Sequence, residues 1–133
     1  MSYIMEYTLE TLEVYQLSEI FSDKIWKIVA GWDQFLKWGI GFQVTRLADS
    51  VSANIAEGYG RHYYAEGKKF YFYARASLLE TIAWLGKCKR RGIIPEKECD
   101  ELVTEANLIL AKLITYIKFV SRSQSNTKKD NLS

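Results

Sequence analysis

Apolar residues recur at spacings of three and four along most of this chain, and the stripes they draw predict four helices. Over residues 11–32, Val14, Leu17, Phe21, Ile25, Ile28 and Trp32 share one face. Over residues 42–59 the stripe is Val44, Leu47, Val51 and Ile55, flanked by the small residues Ala48, Ser52, Ala53 and Ala56. Small side chains let a neighbouring helix backbone come close, and the polar Asn54 beside the stripe is expected to bond a neighbouring helix or loop. Residues 65–91 carry two stripes. Phe70, Ala74, Leu78, Thr81, Leu85 and Cys88 form the first; at about 100° per residue, Phe72, Ala76, Leu79, Ala83 and Gly86 lie on the opposite side. A helix apolar on two faces needs two sets of neighbours, and another subunit supplies the second set most economically. Phe72, Ala76, Leu79 and Ala83 are therefore the expected oligomer interface. From Pro95 onward, Leu102, Ala106, Ile109, Leu113, Tyr116 and Val120 make a fourth stripe, which Val103, Leu110, Ile114 and Ile117 widen to about half the surface.

The breaks between stripes fit helix ends. Gly58 and Gly60 are expected to stop the second helix through a left-handed residue, and Gly92 to do the same for the third with Ile93 making the hydrophobic contact that follows. Pro95 suits the first position of the fourth helix, and Glu96, Glu98, Asp100 and Glu101 suit its positive dipole end. Trp32 to Gly41 reads as a connection, aromatic enough that its rings should pack back on the bundle. Residues 1–10 read as a lead-in, 11–120 as the bundle, and the polar stretch 121–133 as a disordered tail. Short connections then give an all-α, antiparallel up-down-up-down four-helix bundle.

Composition narrows the class. The chain has 133 residues, enough for one domain, and 48% are hydrophobic. The apolar run Leu108 to Ile117 is interrupted by Lys112 and is too short for a bilayer. Glu6 and Glu10 occupy an N-terminus without an apolar h-region, so no signal peptide is read and a cytoplasmic location is expected. Cys88 and Cys99 form neither a metal pattern nor a disulfide framework, and free thiols are expected.

Charge is unevenly spread although the net value is only +2. Residues 1–37 carry Glu6, Glu10, Glu13, Glu19, Asp23 and Asp33 against Lys24, Lys27 and Lys37, a balance of −3. Residues 59–91 carry Arg61, Lys68, Lys69, Arg75, Lys87, Lys89, Arg90 and Arg91 against Glu66 and Glu80, a balance of +6. A polyanion-binding face and a solvated helix with flexible cations both fit this asymmetry. Tyr59, Tyr63, Tyr64, Tyr71 and Tyr73 interleave with Arg61, Lys68 and Lys69, the combination that base stacking beside phosphates uses; interface packing uses it too. Lys87, Lys89, Arg90 and Arg91 end the third helix, where the dipole alone favours cations. Arg46, Asn54 and Glu57 on the second helix, with Arg75 and Glu80 on the third, read better as a structural polar network than as a ligand site, because their signs pair.

Enzymatic and metal chemistries find little support. A di-iron bundle needs Glu-x-x-His on two helices, whereas the single histidine, His62, follows no such glutamate. Gly58-x-Gly60 follows a helix rather than a strand, so it is a poor phosphate cradle. No serine sits in a nucleophile elbow, and neither cysteine has a histidine partner in sequence. No catalytic residue, metal or cofactor is expected.

The run Gln43 to Gly58, QVTRLADSVSANIAEG, resembles the signature of the 23S rRNA intervening-sequence-encoded proteins, also called the four helix bundle protein family. The run Phe70 to Thr81, FYFYARASLLET, resembles its second signature, with Ala76 where glycine is usual. The resemblance extends over residues 12–120. It implies a homo-oligomer, a pentameric barrel of bundles, with no established enzymatic activity. It also implies distant kinship to the accessory protein of diversity-generating retroelements, a basic pentamer that binds a reverse transcriptase and nucleic acid. The expected function is a non-enzymatic oligomeric scaffold binding nucleic acid, structured RNA above all, through Arg61, Lys68, Lys69, Lys87, Lys89, Arg90 and Arg91. The alternative is an adaptor that docks a partner protein on the barrel with little direct nucleic-acid contact.

Overall fold

The computed structural model describes residues 8–61 and 64–132, with side chains for 8–61 and 65–123. The described residues form four long helices: α1 (Glu13–Ala30), α2 (Phe42–Tyr59), α3 (Tyr64–Arg90) and α4 (Glu96–Leu132). Each packs against its neighbours in the chain, and α1 against α4 closes the ring. The periodic stripes meet in one core. Phe21 and Ile25 of α1, Ile55 of α2, Leu78 and Leu85 of α3, and Ile109 and Leu113 of α4 are its largest buried side chains. Burying each such side chain stabilises the fold by about 1.5–3 kcal/mol before chain entropy is counted. Two buried hydroxyls are satisfied within their own helix: Ser18 donates to the Val14 carbonyl at 2.7 Å and Thr81 to the Ser77 carbonyl at 2.8 Å.

The first connection is helical rather than a loop. Asp33 accepts from the Leu36 N–H at 3.0 Å and caps the turn Gln34–Leu36. A π-helical turn, Lys37–Gly41, then leads straight into α2. Of the connection's rings, Trp32 packs on the core as expected, and Ile40 packs there too. Phe35 and Trp38 do not; they are 88% and 72% exposed. Helical spacing puts residues 35, 38 and 42 on one outward face, which a loop would not.

The two ends of α3 use glycine in different ways. Gly92 follows α3 with φ 69°. Its N–H donates to the Lys89 carbonyl at 3.2 Å while the Ile93 N–H reaches the Cys88 carbonyl at 2.9 Å. This is the Schellman closure anticipated for this position. At the other end the anticipated left-handed stop is absent: Gly60 caps α2 at φ −73°. Gly58 is needed for space instead. A Cβ on Gly58 would lie 2.7 Å from the Gly67 carbonyl oxygen and 2.6 Å from the Tyr71 ring, and a Cβ on Gly67 would lie 2.6 Å from the Gly58 carbonyl oxygen. Here α2 and α3 touch backbone to backbone.

Two boundaries shift. Helix α4 starts at Glu96, one place after Pro95, whose carbonyl accepts from the Cys99 N–H at 2.9 Å. It also continues to Leu132, so the stretch from Ser121, expected as a disordered tail, is helical to that residue. No glycine or proline interrupts that stretch, and the Ser121 and Ser123 hydroxyls donate back to the Ile117 and Phe119 carbonyls at 2.8 and 3.1 Å. Of the expected lead-in, residues 1–7 lie outside the described residues, and the chain enters α1 through a tight turn at Leu9–Thr11. Ion pairs tie α4 to α1, Lys24 with Glu105 and Lys112 with Glu13 at 2.6 Å; being exposed, each contributes little to stability.

Cys88 and Cys99 are free and fully buried where α3 turns into α4. The Cys99 thiol donates to the Leu85 carbonyl at 3.0 Å. Burial, reinforced by Cys99, pushes the Cys88 thiol up to about 11.

Two tests follow from this packing. Gly67→Ala should lower the unfolding free energy by about 1–3 kcal/mol through overpacking, although alanine is the better helix former by roughly 1 kcal/mol. Gly39→Ala, with nothing within 4 Å of the added methyl, should be neutral or stabilising in the same denaturant titration. For the thiols, a raised folded-state value means stability is full below the ordinary thiol value of 9.0 and declines as pH rises toward about 11. Alkylation followed by mass spectrometry should find Cys88 protected in native protein and labelled after unfolding.

Candidate nucleic-acid interface

The seven candidate cations do not form one surface. A helix rises ~1.5 Å per residue, so Lys68 and Lys69 stand roughly 30 Å from Lys89 and Arg90 along α3. The chemistry of the two groups also differs.

At the N-terminal end of α3, cations lie on aromatic faces. The Arg61 guanidinium sits 4.7 Å from the Phe70 ring centroid. The Lys69 ammonium is 5.8 Å from both Phe70 and Tyr73, and Lys68 is 6.0 Å from Phe72. Phe70 and Tyr73 meet edge to face at 5.6 Å. Such contacts hold flexible cations near the rings at modest energy. Arg61 also pairs with Glu57 one turn back on α2. Beside this group opens a pocket of about 690 Å³ whose walls include Gly58, Gly67, Arg61, Tyr71, Tyr116 and Phe119. Tyr71 and Tyr116 meet edge to face at 5.1 Å, and Phe119 is 57% exposed at the rim. Gly58 and Gly67, which approach each other closely, both line the pocket. His62, Tyr63 and the Tyr64 side chain lie outside the described residues.

At the C-terminal end the cations are partly neutralised. Lys89 bonds Asp100 at 2.7 Å and approaches Glu96 at 3.7 Å, and its ammonium pKa is raised mainly by the Asp100 bond. Lys87 lies 4.4 Å from the Trp84 ring centroid. Arg90 and Arg91 are exposed, with the Arg90 guanidinium lying over Gly86. The dipole and the α4 carboxylates account for much of this group.

The anticipated polar network does not assemble within one chain. Arg46 bonds Gln43 at 3.2 Å, Glu57 pairs with Arg61, and Asn54 donates to the Ser50 carbonyl of its own helix at 2.8 Å. Arg75 and Glu80 are exposed on α3. Asn54 can bond backward because its amide reaches the preceding turn, so no neighbouring helix is required. Ser50 makes the α2–α3 bond instead, to Ser77 at 2.6 Å. Phe72, Ala76, Leu79 and Ala83 all lie on the exposed face of α3, Phe72 at 43% and Leu79 at 45% exposure.

A second feature, between α1 and α2, was not anticipated. Trp26 is 61% exposed, and with Val29, Trp38, Gly41, Phe42 and Thr45 it lines an apolar pocket of about 230 Å³. The Thr45 hydroxyl oxygen in its wall is buried without a hydrogen-bond partner. Further along, Glu19 accepts from Tyr15 at 2.6 Å and from Ser52 at 3.0 Å. Burial, with Glu19 and Asp23 nearby, raises the Asp49 carboxyl above its ordinary range. None of the described ion pairs involves these three carboxylates. Their sequence signal is weak: Trp26 lies off the α1 stripe, and Asp49 reads as part of the polar strip of Arg46 and Glu57 on α2, with nothing to point it toward α1. Phe119 likewise lies off the α4 stripe, where it lines the pocket and meets the Tyr116 ring at 6.2 Å.

Among the described residues no group of three or more His, Cys, Asp or Glu side chains converges as a metal site. No described helix is long and apolar enough to cross a membrane.

Comparison with known proteins agrees with this architecture. No protein of curated function matches the chain. A solved structure from Bacteroides thetaiotaomicron, described as a protein of unknown function from the S23 ribosomal protein family, superposes with a TM-score of 0.72 at 24% identity. The match covers 79% of this chain and 95% of that one; at this identity it supports the shared fold. The family described as 23S rRNA-intervening sequence protein matches residues 10–115, the whole bundle up to the last turns of α4. The chain therefore belongs to the 23S rRNA-intervening sequence protein family.

Proposed function

We propose that this protein is a non-enzymatic, self-associating scaffold that binds nucleic acid, structured RNA above all, through the N-terminal end of α3. One observation carries this reading: Arg61, Lys68 and Lys69 rest on Phe70, Phe72 and Tyr73 at one end of α3, and Arg61 among them lines the open aromatic pocket. Cations held next to accessible rings suit phosphates alongside unstacked bases. The exposed apolar seam of α3 supports self-association, because monomers rarely leave a continuous apolar face uncovered. An oligomer would repeat the cationic end on each subunit and raise avidity without any new contact. Membership of a family described by rRNA intervening sequences accords with an RNA ligand. The second reading, an adaptor for a partner protein, is favoured by the exposed Trp26 and Trp38.

Salt separates the two. Phosphate contacts make log affinity fall steeply with log salt, and an apolar docking surface does not. Arg61→Gln with Lys68→Gln and Lys69→Gln should weaken binding to RNA of any sequence and flatten the salt slope by about one unit per lost phosphate contact. Lys87→Gln with Arg90→Gln and Arg91→Gln should have the smaller effect. Filter binding or fluorescence anisotropy at several salt concentrations reads both. Absence of RNA and DNA binding by the wild type at low salt would end the nucleic-acid reading.

A further inference from the structure

The exposed surface holds two apolar strips of opposite charge. On α3 the seam runs from Phe72 through Leu79 to Arg90, with small Ala76, Ala83 and Gly86 between. These positions are spaced alternately four and three apart, the repeat by which one helix packs along another. Cations flank both of its ends: Lys68 and Lys69 at one, Lys87 and Arg90 at the other, with exposed Arg75 and Glu80, of opposite sign, beside its middle. The other strip is the groove between α1 and α2, where Trp26 and Phe42, 61% and 53% exposed, adjoin Glu19, Asp23 and Asp49. Its own cations stand at its edges: Lys27 follows Asp23 by one turn of α1, Arg46 keeps its charge although it is bonded to the neutral Gln43, and Lys37 stands at the Trp38 end of the pocket.

Charge decides which strips can meet. Seam against seam would set cation against cation at both ends, whether the two helices ran parallel or antiparallel. Groove against groove would set carboxylate against carboxylate. Seam against groove pairs opposite charges, a preference that fixes register and excludes the like-charged alternatives. Shape agrees. The large rings of the groove face the small residues of the seam, as knobs need holes.

We propose that the α1–α2 groove of one subunit receives α3 of a second copy of this chain. The contact joins two different faces, so it is heterologous, and it closes into a ring when the rotation permits. This rests on the reading that the chain self-associates, and adds to it which faces meet.

The test uses two full-length variants that each spoil one strip. Trp26→Glu damages the groove and Leu79→Glu damages the seam. Both positions are substantially exposed, so the monomer should remain helical by circular dichroism. Each variant alone should lose the wild-type mass in sedimentation equilibrium. Mixed in equal amounts they should form a one-to-one dimer and nothing larger, since one intact groove meets one intact seam. Asp23→Lys with Asp49→Lys provides a second groove variant that keeps the tryptophan. It should also dissociate the wild-type assembly, and its mixture with Leu79→Glu should again give the dimer. If Trp26→Glu and the lysine pair both keep the wild-type mass while Leu79→Glu loses it, the seam pairs elsewhere and the proposal fails. It fails equally if the mixtures stay monomeric at every concentration at which the wild type is assembled. A monomeric wild type would overturn the self-association reading itself, and with it this one.

Discussion

The contact between Gly58 and Gly67 is the constraint on which most of the site depends. It allows α2 and α3 to touch through their backbones, closer than any pair of side chains would permit. Tyr71 is thereby laid against the α2 end and turned toward Tyr116 on α4. The ring of Tyr71 lies where a Gly58 side chain would be, so the pocket and the helix crossing are one event. The same approach fixes the rotation of α3 about its axis. With Ala74, Leu78 and Leu85 turned inward and fully buried, the opposite stripe has no place to go but outward.

Most of this was legible from periodicity. The stripes on α1 to α4 identify the core face of every helix, because burial of a 3.6-residue repeat admits one orientation. The Gly92 turn was legible too, since a glycine ahead of Ile93 at the end of a long apolar repeat has few other uses. What escaped was the purpose of Gly58. A glycine near a helix end suggests a left-handed stop, and a distant glycine that needs the same space leaves no local trace. The Trp32–Gly41 segment escaped for a related reason. Its aromatic content suggested a loop folded on the core, but Asp33 as a cap makes it helical and turns Phe35 and Trp38 to the outside.

The candidate site was half legible. Sequence marks every cation but says nothing of its partners. Lys68 and Lys89 look alike in the chain, yet one lies over an aromatic ring and the other is held by Asp100 and Glu96. The separation arises from the short turn after α3, which brings the acidic start of α4 beside its basic end. Helix-dipole chemistry thus places acid next to base at that corner and weakens its attraction for phosphate. Among the described residues the N-terminal end has no such acidic neighbour beyond Glu57 and Glu66, and its cations rest on rings instead.

The charge asymmetry then has a structural meaning apart from any ligand. The acidic strip lies between α1 and α2, and the basic seam lies on α3. A protein that carries both signs on separate faces cannot satisfy either through a two-fold contact of like faces. It can do so through a repeated unlike contact, in which every subunit presents one face and receives the other. Lys68 and Lys69 are flanking charges of the seam as well as candidates for phosphate, so the two roles compete at this point. Arg61 does not share the conflict. It lies on the α2 side of the crossing, over Phe70 and on the pocket rim. If the ring contact is the one between groove and seam, it does not use Arg61 or the pocket, whereas Lys68 divides its charge between the neighbouring groove and the ligand. Assembly and nucleic-acid affinity would then be coupled through α3, and salt would act on both together.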